Sequence, residues 1–172
     1  VWLCRHILGA SAQSHAWGSY RRKEVVFGEF HQQTDEKGRT RIPAKLKPYL
    51  NDGVTITKGT NGCLFLFPSS VWRAGLANKL WNVPMSDLSV QRSVRMFFSS
   101  ANTLEEDNQG RCLLPRNLRE YAGIVKDIVY IGVGNRAEIW AKENYEAYMN
   151  GEPIKQTYDF DKLFAELKQY GV

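Results

Sequence analysis

The 172-residue sequence predicts an α+β fold: two tandem, pseudo-symmetric units of β-hairpins and short helices, packed as a small β-barrel-like core with peripheral helices. Three observations predict it. An internal repeat runs through the chain at a fixed offset, turn and hairpin signals fall at matching places in both copies, and helical spacing is confined to segments between and after them. In the first copy Asp35-Glu36-Lys37-Gly38-Arg39 precedes Ile42-Pro43, Leu46 and Tyr49; in the second Asp107-Asn108-Gln109-Gly110-Arg111 precedes Leu114-Pro115, Leu118 and Tyr121. These pairs recur at an offset of 72, and Leu66-Phe67 and Trp72 match Ile139-Trp140 and Tyr145 at 73. Two copies are too few for a solenoid, so they are expected to pack on each other.

Residues 1–24 show neither helical nor strand periodicity, and Gly9, Ser11, Ser14, Gly18 and Ser19 interrupt them. Arg5 breaks the only apolar stretch and Arg21-Arg22-Lys23 comes last, the reverse of a secretory signal. The segment is expected to be a non-native or disordered extension, with translation starting at Val25. Valine is how a GUG start codon reads, and Arg21-Arg22-Lys23-Glu24 is what a purine-rich ribosome-binding stretch would encode. Residues 25–80 then form the first unit, 81–99 a connecting helix, 100–149 the second unit, and 150–172 a linker and C-terminal amphipathic helix.

Each unit is expected to run strand, tight turn, strand, short helix, hairpin, longer helix. Asp at the first and Gly at the fourth turn position suit a type I turn, the carboxylate capping backbone amides and the glycine taking the left-handed conformation. Asn61-Gly62 lies between β-prone Val54–Thr57 and Cys63–Phe67, a hairpin signal; Gly132-Val133-Gly134-Asn135 does the same between Ile128–Ile131 and Ala137–Trp140. Trp72, Leu76 and Leu80 have the spacing of an apolar helix face. Ser86-Asp87 can cap a helix from Leu88 to about Phe98, and Gly151 and Pro153 mark a linker before Phe160, Leu163, Phe164 and Leu167.

Chemistry is constrained chiefly by what is missing. Cys4, Cys63 and Cys112 form no CxxC pair and do not cluster with His6, His15 or His31, which argues against a zinc site or disulfide framework and for a reducing cytoplasm. His31 has no partner at metal or triad spacing and reads as a surface or strand histidine. Adjacent Glu105, Glu106 and Asp107 point to alternate faces of a strand and cannot form an acid/base pair. Phe65, Phe67, Phe97, Phe98 and Trp140 read as core rather than as a base-stacking platform. No catalytic residue, metal, cofactor or small-molecule substrate is therefore expected, and no apolar run is long enough to span a membrane.

The formal net charge is +5, of which Arg5, Arg21, Arg22 and Lys23 against Glu24 supply +3 in the first 24 residues. Local clustering is thus more informative than the total. Residues 29–50 hold Lys37, Arg39, Arg41, Lys45 and Lys47 against Glu29, Asp35 and Glu36, a net +2. The matching 101–122 hold Arg111, Arg116 and Arg119 against Glu105, Glu106, Asp107 and Glu120, a net −1.

The two Asp-x-x-Gly-Arg turns, each followed by an apolar-Pro pair, resemble those of the MraZ family, within the AbrB-like group of swapped-hairpin DNA-binding proteins. The resemblance covers about Val25 to Met149 and includes Gly28-Glu29-Phe30, Asn61-Gly62-Cys63-Leu64 and Asn117-Leu118-Arg119-Glu120-Tyr121-Ala122-Gly123. It implies two AbrB-like units. It also implies a cytoplasmic, nucleoid-associated transcriptional regulator, usually a repressor of the division and cell-wall gene cluster containing its own gene. Such proteins form homo-oligomeric rings and bind short direct repeats in double-stranded promoter DNA. Phe27 departs from the family's usual Arg, and Thr34 and Glu106 replace the apolar residue before each turn aspartate.

On this reading Asp35 orients Arg39 to fork onto guanine O6 and N7, while Lys37, Arg41, Lys45 and Lys47 take phosphates around the Gly38 turn. Asp107, Gly110 and Arg111 are expected to be mainly structural, because DNA phosphates favour the cationic copy. The competing reading is a ring-forming scaffold or protein-interaction module, in which the hairpins serve assembly alone.

Overall fold

The computed structural model describes residues 25–154 and 160–171, so the expectation for residues 1–24 lies outside the described residues. The first copy supplies β1 (Val26–Gln33), β2 (Arg39–Thr40), β3 (Val54–Lys58) and β4 (Leu64–Pro68). A helical rod follows, made of α1 (Ser69–Trp72), a π-helical turn at Arg73–Ala77, and α2 (Asn78–Trp81). After α3 (Leu88–Ser100), the second copy supplies β5 (Asn102–Leu104), β6 (Cys112–Leu113), α4 (Arg116–Ala122), β7 (Asp127–Gly134), β8 (Ala137–Ala141) and α5 (Lys142–Met149). The final helix is α6 (Phe160–Leu167).

The strands form a six-stranded antiparallel sheet, ordered β1-β7-β8-β4-β3-β5, and a separate two-stranded ribbon, β2-β6. The copies exchange their first strands: β1 pairs with β7 of the second copy, and β5 with β3 of the first. A pseudo-twofold axis follows from the register. Phe65 faces its own counterpart Glu138 across β4-β8, and Thr40 faces its counterpart Cys112 across β2-β6. The sheet keeps β1 and β5 as free edges, so its strands do not close into a barrel.

Counterpart residues do the same work on either side of the axis. Leu46 and Leu118 are both fully buried, as are Ile42 and Leu114 to within a few per cent. The Tyr121 hydroxyl donates to the Gly59 carbonyl at 2.6 Å, and the Tyr49 hydroxyl donates to the Asn135 carbonyl, so each copy's tyrosine ties down the other's hairpin. Cys63 and Cys112 are buried free thiols; burial pushes the Cys112 thiol up to about 11, which suits a small hydrophobe rather than a nucleophile.

The short helix exists only in the second copy. Residues 44–50 form successive turns instead, because Pro48 has no amide hydrogen to donate and its ring crowds the preceding helical turn. Both hairpins form, and at the first Asn61 and Gly62 take positive φ, the left-handed pair an Asn-Gly turn calls for. Trp72 and Leu80 are buried, and Phe65, Phe67, Trp72, Phe97 and Phe164 join in one aromatic cluster with centroid separations of 4.8–6.2 Å. Phe98 departs from the core expectation at 40% exposed, since it falls on the outer side of α3. The tail helix α6 docks on its own chain: Asp161 accepts from the Asn61 amide at 2.8 Å and Glu166 from the Ser93 hydroxyl at 2.6 Å.

Candidate functional site

The ribbon β2-β6 brings the two Asp-to-Arg turns side by side, although 72 residues separate them in sequence. Each turn closes identically. Gly38 donates its amide to the Asp35 carbonyl and Gly110 to that of Asp107, both at 2.8 Å. The Asp35 carboxylate accepts from the amides of Lys37 and Arg39 at 3.0 and 2.9 Å, and Asp107 from Gln109 and Arg111 at 2.9 Å. With φ of +79° and +69°, Gly38 and Gly110 occupy backbone that a side chain would strain.

The same carboxylates then fix the guanidinium groups. Arg39 Nε donates to Asp35 Oδ2 at 2.7 Å with its Nη2 also 2.7 Å away, and Arg111 Nε and Nη2 reach Asp107 Oδ2 at 3.0 and 2.9 Å. The pairs are cross-linked more loosely, Arg39 to Asp107 at 3.8 Å and Arg111 to Asp35 at 3.7 Å. Arg39, through its side chain first and its amide second, holds the Asp35 carboxyl down at about 2. The Asp107 carboxyl is also lowered, chiefly by the Arg111 amide. Both arginine side chains keep about a quarter of their surface exposed, 26% and 25%, leaving donors available outward.

The surroundings break the symmetry. Lys37, Arg41 and Lys45 are exposed and form no ion pair among the described residues. Lys47 instead meets Glu106 at 2.6 Å, on the second turn's flank. Its counterpart Arg119 lies under the first turn, where Nε donates to the Leu114 carbonyl at 3.1 Å and a methyl group on Gly38 would collide with its guanidinium. Arg119 is a site residue that sequence reasoning missed, although the offset of 72 from Lys47 to Arg119 was a usable signal. A concavity of about 740 Å³ opens beside the first turn, lined by Gln32, Gln33, Arg39, Arg41, Arg111 and Lys142. A separate hollow of about 320 Å³, lined by Leu50, Val54 and Leu104, has Lys47 and Glu106 in its wall.

His31 sits on β1 with Nε2 2.9 Å from Glu29, a surface pair, and no group of three or more metal-competent side chains occurs among the described residues. No helix among them is long and apolar enough to cross a membrane. The ribbon itself carries two guanidinium groups, each paired to its own aspartate and about a quarter exposed.

Comparison with known proteins gives the chain its family. The MraZ family, described as "MraZ protein, putative antitoxin-like", matches residues 25–84 and 97–166, one segment for each copy. The chain belongs to the MraZ family. The transcriptional regulator MraZ of Clostridium beijerinckii is 43% identical over 148 residues, covering 86% of this chain and all of that protein. The one from Clostridium tetani is 38% identical over the same shares, and that of Syntrophomonas wolfei subsp. wolfei 46% over 78% of this chain and 92% of its own. These relatives are named as transcriptional regulators, and this chain belongs with them. Each matched segment contains one of the two Asp-x-x-Gly-Arg turns.

Proposed function

We propose that this MraZ protein is a sequence-specific DNA-binding repressor of the division and cell-wall gene cluster that includes its own gene. It would act in the cytoplasm, on the nucleoid, as a homo-oligomeric ring on short direct repeats in double-stranded promoter DNA. The observation that carries the reading is the convergence of Arg39 and Arg111 on one ribbon, each locked by its own aspartate. An arginine held in this way presents a rigid fork, which discriminates guanine in the major groove by about 1–3 kcal/mol per bidentate contact. Asp35, Gly38 and Arg39 form the reading turn and Lys37, Arg41 and Lys45 supply its cations, whereas Lys47 lies on the second turn's flank against Glu106; Asp107, Gly110 and Arg111 chiefly brace it.

Oligomerisation is supported by the free edges of β1 and β5 and by exposed Trp81, Met85 and Leu88 near the start of α3. Those same features favour the second reading, a ring-forming scaffold that does not read DNA. A footprint of the purified protein on DNA upstream of its own gene separates the two. Protection of a regularly spaced array of direct repeats is the expected result, and uniform cleavage at saturating, assembled protein would leave the scaffold reading standing. Light scattering is expected to give a mass of several subunits.

A further inference from the structure

The pseudo-twofold axis makes the two flanks of the ribbon directly comparable, position by position. Position 34 of the first copy corresponds to 106 of the second, and 47 to 119. On the first flank the uncharged Thr34 is 6% exposed and turns its hydroxyl onto the carbonyls of Val125 and Lys126 at 3.3 and 3.2 Å. Arg119 therefore lies against the Gly38 turn with no carboxylate paired to it among the described residues. On the second flank Glu106 is exposed and takes the Lys47 ammonium at 2.6 Å, beside the Gly110 turn. Both its Oε2 and Lys47 Nζ lie 4.0 Å from where a Cβ on Gly110 would be. Exposed Glu105 extends the negative charge, while Asp107 is held by Arg111 as Asp35 is by Arg39.

We infer that Glu106 is a specificity-determining residue: it occupies Lys47 as an internal substitute for a DNA phosphate and so silences the second of two otherwise equivalent reading turns. The assignment rests on the DNA reading above and sharpens it. A phosphate approaching the second turn must displace Glu106 from Lys47 and then pass exposed Glu105. One approaching the first passes a single exposed carboxylate, Glu36, and meets Lys37, Arg41 and Arg119. A subunit with one live turn out of two reads its site with a direction, which is what direct repeats, unlike palindromes, require. An exposed ion pair adds little to folding stability, so Glu106 can be changed without losing the fold.

The test uses the full chain and two fluorescent duplexes of equal length, one from upstream of its own gene and one scrambled, titrated by anisotropy at several salt concentrations. The variants are Glu106→Gln, Glu106→Thr to copy Thr34, and the double variant Glu106→Gln with Lys47→Ala. One released phosphate contact steepens the dependence of log affinity on log salt by about 0.9, so each fourfold drop in salt should favour the single variants by about a further 3.5-fold. The gain is expected on both duplexes, larger in relative terms on the scrambled one, and absent from the double variant. If the parent binds but both single variants keep its salt slope and its preference between duplexes, Glu106 has no such role. A parent that binds neither duplex at any salt defeats the DNA reading and this assignment with it.

Discussion

The two Asp-to-Arg turns have matching hydrogen bonds, matching glycine conformations and near-equal exposure of their arginines. Beyond the turns they diverge: Lys37 and Arg41 stand exposed by the first with no ion pair among the described residues, whereas Lys47 on the second's flank is tied to Glu106. Duplication supplied two copies of a rigid fork, and a few surrounding side chains decide what each can approach. Function in such a fold resides less in the motif than in the electrostatics of its neighbours.

The largest expected effect tests the symmetric half of that comparison. Leu46→Ala and Leu118→Ala each remove a fully buried side chain from equivalent places, and each is expected to cost about 2–5 kcal/mol in denaturant unfolding. If one variant unfolds readily and the other is nearly neutral, the copies do not share one core. The next effect tests the asymmetric half. Arg39→Ala is expected to weaken binding to the upstream duplex by about 1–3 kcal/mol for each lost base contact, and Arg111→Ala by less, with oligomeric mass checked in both. An assembled Arg39 variant that binds like the parent while the Arg111 variant fails would exchange the roles of the turns.

Smaller effects sharpen the picture. Gly38→Ala and Gly110→Ala each force a side chain into left-handed backbone, costing on the order of 1–2 kcal/mol of stability. Only Gly38→Ala also displaces Arg119, so only it should additionally weaken DNA binding; equal losses of binding would remove Arg119 from the site. The last prediction concerns acid. Folding lowers the Asp35 carboxyl to about 2 from its ordinary 3.8, so its stabilising contribution is complete above the unfolded value and is lost as pH falls from about 4 toward 2. Asp35→Asn should flatten that part of the stability profile more than Asp107→Asn does, as read by urea midpoints across the range.

Much of this was legible in the sequence because it is local. An Asp four residues before an Arg with Gly between them specifies its own turn, and a fixed offset reveals duplication without any knowledge of contacts. Pro48 is equally legible as a helix breaker, but the repeat alone implies a helix at both places, and one proline outweighs that symmetry. The strand exchange had no local trace, since alternation fixes which face of a strand is buried but not which strand lies beside it. Lys47 and Glu106 likewise meet across the axis, and summing charges within each copy could not reveal that one copy's cation is taken up by the other's carboxylate.

The exchange of first strands also shapes how the molecule comes into being. β1 emerges early, but its partner is β7, with Val26 opposite Gly134 and Gln33 opposite Asp127. A ribosome adding about 5–20 residues per second needs on the order of 5–20 s to deliver those roughly hundred intervening residues. Throughout that interval the first strand is an unsatisfied edge, open to a chaperone or to the same strand of a neighbouring nascent chain. The ribbon is bound by the same timetable, because β2 cannot pair until β6 has been made. A product released before the second hairpin would thus carry the Asp35 turn without the surface that positions it, and the chain becomes competent only as a whole.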